Sequence, residues 1–381
     1  MKSKYLSFLI AGTLLASSCQ NGKTSQTTTQ QQSEIDSTVF YTNFDNKDVL
    51  QYVIGNDKVK VNVTNFGARI VSLIVNDKAG NPVDVLLGYD TADEFIKNTN
   101  NFYGAVVGRF GNRVGNASFT LNGEKYELEK NDGDNSLHGG TNGVYNKVWD
   151  VKSHSGESIT LEYLSPDGEA GYPGNVRMQV TYKVNENGGL EIHYLGETDK
   201  ETILNLTSHG YFNLNGEGDT TILDHELWID ANKITEVNKT LIPTGRSINI
   251  LGTAFDFTKP KLIGKDINRP TDQLKYGQGY DHNFELNKKD GFAEVASLYA
   301  PNTGIEMKIL TTEPGLQFYS GNFMSDEDPK GKGGKVYPFR SALCLETQHF
   351  PDAPNHDNFP STTVRPGEKY TSKTEYRFSV R

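Results

Sequence analysis

The chain has 381 residues and a formal net charge of -10, with 48 acidic against 38 basic side chains. A surface of that sign is a poor match for nucleic acid, and no basic stretch or zinc-ligand spacing argues otherwise. Thirty-eight glycines, 19 tyrosines and 19 phenylalanines suit turn-rich sheets, and two cysteines exclude a disulfide-stapled scaffold.

The first segment reads as processing rather than fold. Lys2 and Lys4 precede an apolar run from Tyr5 to Leu15, and the small residues Ala16, Ser17 and Ser18 lead into Cys19. The run is shorter than the ~20 residues a membrane span needs, so residues 1–18 are expected to be a secretory signal peptide. A cysteine at that place resembles a bacterial lipobox, in which it is lipidated and becomes the mature N-terminus. Ala16 departs from the usual Leu or Val there, and the alternative is an ordinary cleaved signal with an incidental cysteine. Residues 19–37 carry no apolar side chain before Ile35 and are expected to be a flexible tether. The expectation is an exported lipoprotein, held to a membrane only through Cys19 and facing the periplasm or cell surface. Cys344 is then the only other cysteine, so no intrachain disulfide forms. Its setting in Ala342-Leu-Cys-Leu345 predicts a small buried hydrophobe.

Strand signals dominate the rest. Val59–Val63, Ile70–Val75 and Val83–Leu87 read as strands, with a turn over 76–82. One short helical turn is predicted over Thr91–Lys97. In Ser118–Leu128, Phe119 and Leu121, then Tyr126 and Leu128, alternate with polar neighbours around Asn122-Gly123, the favoured two-residue hairpin turn. Val176 to Val184 and Leu190 to Tyr194 alternate in the same way around a turn at 185–189. Regular turn clusters predict an all-β protein of many antiparallel strands. Residues 38–381 contain no Pro/Ser/Gly linker and no internal repeat, and predict a single domain.

Two segments carry the chemistry. Glu346, in Leu343-Cys-Leu-Glu-Thr-Gln-His-Phe-Pro-Asp-Ala-Pro-Asn355, sits in an apolar strand that should partly desolvate its carboxylate and raise its basicity. By alternation Glu346 shares a face with Cys344, opposite Leu343 and Leu345. A glutamate on the solvent face of an edge strand has the same spacing. His209, in Asn205-Leu-Thr-Ser-His-Gly-Tyr-Phe-Asn-Leu214, is the candidate acid, because histidine titrates near neutrality. A core histidine bonded to backbone is the alternative. His138 precedes Gly139-Gly140, which permit a tight turn and close approach to a ligand. His349 and His356 fit no zinc spacing and read as structural. The acidic run Ser325-Asp-Glu-Asp328 lacks a calcium loop's pattern and reads as a solvated turn.

From about residue 45 onward the chain resembles the aldose 1-epimerases (galactose mutarotases), with matching motifs in the same order. The matching pieces are Gly108-Arg-Phe-Gly-Asn-Arg113, Leu137-His-Gly-Gly140, the His209 and Glu346 segments, and Gly279-Tyr-Asp-His-Asn-Phe284 with Pro314-Gly-Leu-Gln-Phe-Tyr319. The resemblance implies a large twisted antiparallel β-sandwich, a supersandwich, with a sugar cleft on one concave face. It implies interconversion of the α and β anomers of free aldohexoses, galactose and glucose, by acid–base ring opening and closure. Glu346 would be the base at O1 and His209 the acid at O5, with His138 assisting. Asn112, Arg113, His138, Tyr211, Asp281 and Gln317 would bind the sugar, and Arg109 would be structural. Gly210 stands where the family usually has Ser, which puts one substrate contact in doubt. Ordinary side-chain pKa values would place the acidic limb of the pH profile on Glu346 and the alkaline limb on His209. The chemistry needs no cofactor or metal, and a structural Ca2+ is left open. A monomer is expected. Two other readings are a hexose-6-phosphate mutarotase, which would want extra cations at the cleft rim, and a non-catalytic sugar-binding lipoprotein, which would not need both His209 and Glu346.

Overall fold

The computed structural model describes residues 40–288 and 291–381. The expected signal peptide, Cys19 and the tether lie outside these residues. The described residues fall within one compact unit.

Three antiparallel sheets make up the body. The largest has nine strands in the order Asp150–His154, Ser158–Ser165, Val176–Val184, Gly189–Thr198, Tyr370–Val380, Ile305–Thr311, Ala293–Tyr299, Glu226–Ile229 and Lys261–Leu262. A five-stranded sheet runs Pro243–Asn249, Ala231–Val237, Asp281–Leu286, Gly315–Tyr319 and Cys344–Gln348. A four-stranded sheet joins Gln51–Gly55, Val59–Thr64, Ile70–Asn76 and Pro82–Asp84. One continuous core binds all three, with Ile192, Met307 and Tyr376 from the first, Phe284, Leu316 and Leu345 from the second, and Val61 and Leu73 from the third. The Tyr376 hydroxyl crosses this core to donate to the Leu345 carbonyl at 3.0 Å. The fold is thus all-β, as the alternating pattern predicts, and a sandwich, as the resemblance implies.

Most predicted local elements form for the expected reasons, but the strand expected over Val83–Leu87 is confined to Pro82–Asp84. Ser118–Leu121 pairs with Glu124–Glu127, and Asn122 and Gly123 both take positive φ (52° and 78°), as a primed hairpin turn requires. Val176–Val184 pairs with Gly189–Thr198 over its whole length. The short helix Ala92–Lys97 is closed by a capping box between Thr91 and Glu94. A second helix, Asp272–Gly277, is not marked by apolar periodicity. Its Thr271 cap accepts from the Leu274 amide, and only Leu274 and Gly277 of its six residues are buried.

Candidate active site

Strand alternation in the five-stranded sheet sorts polar from apolar side chains. In register, Asn283 lies opposite Gln317 and Gln317 opposite Glu346, while Asp281 lies opposite Tyr319 and Tyr319 opposite Cys344. These six residues share one face. His282, Phe284, Leu316, Phe318 and Leu345 take the other, and the last four pack in the main core. Burying a carboxylate on such a face is costly without partners, so the row Asp281, Gln317, Glu346 marks a place built for a purpose other than stability.

Loops from the opposite side bring the remaining groups. His209 follows the two-residue strand Thr207–Ser208 and is tied by its amide to the Ala105 carbonyl (2.8 Å) and by its carbonyl to the Gly104 amide (3.0 Å). Its ring stacks on Tyr211 (centroids 5.0 Å apart) and meets the edge of His138 (4.9 Å). Its Nε2 lies 3.8 Å from Glu346 Oε1, and its Nδ1 lies 3.6 Å from Cys344 Sγ. His138 takes positive φ (55°), and its Nδ1 accepts the Asn112 backbone N–H at 3.1 Å. Arg113 reaches two carboxylates, with Nε donating to Asp132 Oδ2 (2.9 Å) and Nη1 lying 3.5 Å from Asp281 Oδ2.

These groups converge on a cleft of about 220 Å3, lined by Asn112, Arg113, His138, His209, Tyr211, Asp281 and Glu346, with Asn100, Asn101, Phe102, Tyr103, Leu137, Tyr319, Phe323, Met324 and Asp328 completing the wall. Glu346 Oε2 is buried without a protein partner and so is free to accept from a ligand. Burial, reinforced by nearby Asp281 and opposed by Arg113, raises the Glu346 pKa well above the carboxylate range. Burial lowers His209 to about 3 and, with His209 beside it, holds His138 well below the imidazole range. Asp281 is raised by burial against the pull of Arg113.

The structure places the predicted residues unequally. Gln317 is not on the cleft wall; its Nε2 donates to Asp281 Oδ1 at 2.7 Å and so holds that carboxylate from behind. Gly210 is also set apart: a Cβ there would meet the Phe212 ring and Leu86, in the core rather than at the cleft. The Ser-to-Gly departure therefore removes no group from the cleft. Glu346 lies inside the strand Cys344–Gln348, and Asp281 opens the strand Asp281–Leu286. Arg109 is buried and donates to Ser165 Oγ and to the carbonyls of Ser165, Pro166 and Pro173. His349 pairs with buried Glu313 at 2.7 Å, and His356 lies 3.3 Å from Asp352. Asp328, from the acidic run, reaches the cleft wall. Sequence reasoning missed Phe102, Tyr103, Tyr319 and Phe323, whose only local signal was aromaticity. It placed Cys344 on the Glu346 face without drawing the consequence that it meets His209.

His138, His209 and Glu346 place ligand atoms within 4.8 Å of one another, a spacing that could hold a metal ion. The Asn112 amide decides against it. With Nδ1 accepting that N–H, neutral His138 carries its hydrogen on Nε2, so the nitrogen left to face the cleft offers a donor and no lone pair. The same arrangement suits a hydroxyl or ether oxygen.

The chain is similar to known proteins over most of its length. The family model described as aldose 1-epimerase matches residues 50–377. Galactose mutarotase of Sus scrofa is 40% identical over 332 residues, covering 87% of this chain and 94% of that protein. Aldose 1-epimerase of Escherichia coli (strain K12) is 34% identical over 326 residues, covering 85% and 93%. Among solved structures, an aldose epimerase homologue from C. elegans superposes with a TM-score of 0.81 at 32% identity, covering 87% of this chain and 99% of that one. Galactose 1-epimerase from Lactobacillus acidophilus NCFM gives 0.79 at 29% identity, covering 90% and 98%. With the sandwich in place and a cleft that brings His209 to Glu346, the chain belongs to the aldose 1-epimerase family and is an isomerase.

Proposed function

We propose that this enzyme interconverts the anomers of free aldohexoses, galactose and glucose among them, with Glu346 as base and His209 as acid. The observation that carries this reading is the buried 3.8 Å approach of His209 Nε2 to Glu346 Oε1 at the wall of a hexose-sized cleft. Glu346 takes the hydrogen of the C1 hydroxyl as the C1–O5 bond breaks, and O5 takes a proton from His209 Nε2. Rotation about C1–C2 and the reverse transfers close the ring on the other face. His138 Nε2–H donates to an oxygen of the sugar. Asp281, held by Gln317 and Arg113, accepts from the sugar's hydroxyls.

Glu346 and His209 hold one proton between them. In the dry cleft burial favours the neutral pair, with the proton on Glu346. A sugar hydroxyl donating to Glu346 Oε2 favours the carboxylate and moves that proton to His209, which arms both groups together. Each role is worth about 10²–10⁴ in rate. No cofactor enters these steps.

Arg113 is the only cation on the cleft wall among the described residues, and both Asp132 and Asp281 already engage it. That supports a neutral sugar over a sugar phosphate. Polarimetry of freshly dissolved α-D-glucose and α-D-galactose should show rotation reaching its equilibrium value far faster than in buffer. A rate equal to buffer for both sugars would overturn the reading.

The same proposal extends to location. The Lys2/Lys4, Tyr5–Leu15 and Cys19 pattern supports export and lipid anchoring, with the catalytic unit in water beyond a polar tether. Cys19→Ala should release the protein from the membrane fraction; equal retention of both forms would refute the anchor.

A further inference from the structure

The two cleft histidines differ in what sits on Nδ1, and that difference divides their work. His138 Nδ1 faces a donor, the Asn112 N–H, at 3.1 Å. Its neutral ring is therefore fixed with hydrogen on Nε2, and it can give a hydrogen bond into the cleft but cannot take a proton there. His209 has the opposite need. To give a proton to O5 and then take one back, its Nε2 must alternate between N–H and lone pair. That holds only if the neutral ring keeps its hydrogen on Nδ1, so Nδ1 requires an acceptor. Cys344 Sγ lies 3.6 Å from Nδ1, and both residues are buried. A sulfur lone pair accepts a hydrogen bond at such a distance, weakly. Strand alternation holds the two contacts together, because Cys344 and Glu346 project from the same face of Cys344–Gln348 while touching opposite ends of one imidazole. Burial keeps Cys344 a thiol, so it adds no charge that would hold the proton on the ring.

We propose that Cys344 is a positioning residue for His209. Its sulfur takes the Nδ1 hydrogen and so leaves Nε2 to carry the mobile proton, while the Asn112 amide locks His138 in the other tautomer as a fixed donor. The proposal rests on the acid role of His209, but its first readout does not depend on activity.

The test is nitrogen NMR of the ¹⁵N-histidine-labelled enzyme at pH 7, with polarimetric kinetics alongside. Wild type should show His209 as the Nδ1–H tautomer and His138 as the Nε2–H tautomer. Cys344→Ala should leave His209 a mixture of tautomers and lower kcat about tenfold with KM unchanged, the scale of one hydrogen bond. Cys344→Ser, whose oxygen can accept, should restore the tautomer and most of kcat. A wild-type His209 in the Nε2–H form would overturn the proposal, as would Cys344→Ala changing the tautomer without kcat or kcat without the tautomer. The expected spectra for wild type and both variants, with no mutarotation in wild type, would instead refute the catalytic reading and leave the tautomer assignment standing; a Cys344→Ala spectrum identical to wild type would overturn the proposal.

Discussion

At the residue scale, the cleft works by withholding water from groups that water would otherwise level. Glu346 and His209 are nearly inaccessible (2% and 5% exposed) and lie 3.8 Å apart. Burial pushes the first up and the second down to about 3, which inverts the order that ordinary side-chain values give. As pH rises, the first proton to leave the pair comes from His209 and the second from Glu346. The acidic limb of kcat/KM then belongs to His209 and the alkaline limb to Glu346, the reverse of the expectation from ordinary pKa values. Glu346→Gln should lower kcat by about 10²–10⁴ and abolish the alkaline limb; retention of that limb with loss of the acidic one would restore the ordinary order. Asp281→Asn should act mainly through KM, because its bonds to hydroxyls form in ground and transition states alike. A fall confined to kcat in steady-state polarimetry would place Asp281 in the proton transfer instead.

At the element scale, two glycine turns separate stability from catalysis. Gly123 closes an exposed hairpin at φ 78°, with open space where a Cβ would go. Gly123→Ala should cost about 1 kcal/mol through the left-handed backbone alone and leave kcat intact. Denaturant midpoints and kcat measured on one preparation would check it. Gly139 takes φ 91° next to His138, and a Cβ there would land on the Gly108 carbonyl. Gly139→Ala must displace either that carbonyl or the His138 loop, so it should lower kcat as well as stability. Near-wild-type kcat would show that the loop moves without carrying His138 away. Phe102 and Tyr103 form an aromatic wall of the cleft. Buried Arg69 holds this wall by donating to the Tyr103 carbonyl (3.0 Å) and Thr99 Oγ1 (2.9 Å), and Phe102 packs on both cleft histidines.

At the scale of the whole molecule, burying neutral histidines couples folding to pH. His138, His209 and His282 are all lowered by burial, the last two to about 3. The unfolded chain protonates each near pH 6.5. Between that value and the folded one, the unfolded state binds more protons, so stability falls as pH falls. Glu346, Asp281, Asp84 and Asp352, raised in the fold, act in the opposite sense above their unfolded values. The contribution of the three imidazoles by itself lowers Tm between pH 7 and pH 5. His282→Asn keeps an acceptor for the Asp281 amide, which His282 Nδ1 now accepts at 3.1 Å. It should flatten the slope by up to about 1.4 kcal/mol per pH unit. An unchanged slope in calorimetric scans across that range would mean that His282 stays uncharged in both states or charged in both.

The elements were legible because each follows from neighbours in the chain. Alternation at Val176–Val184 and the Asn122-Gly123 pair specify strand and turn locally, and the same period of two places Cys344 and Glu346 on one face. Motif resemblance extended this to the identity of the cleft residues. What local pattern could not decide was which partner each side chain meets across the sheet or from a distant loop. Gln317 backs Asp281 instead of lining the cleft, Gly210 turns into the core, and Cys344 caps the far side of His209. Each outcome depends on register and on loop paths set by packing the three sheets together. The pKa order of Glu346 and His209 belongs to the same class, since desolvation depends on everything that covers a group, and residues from Phe102 to Glu346 cover these two.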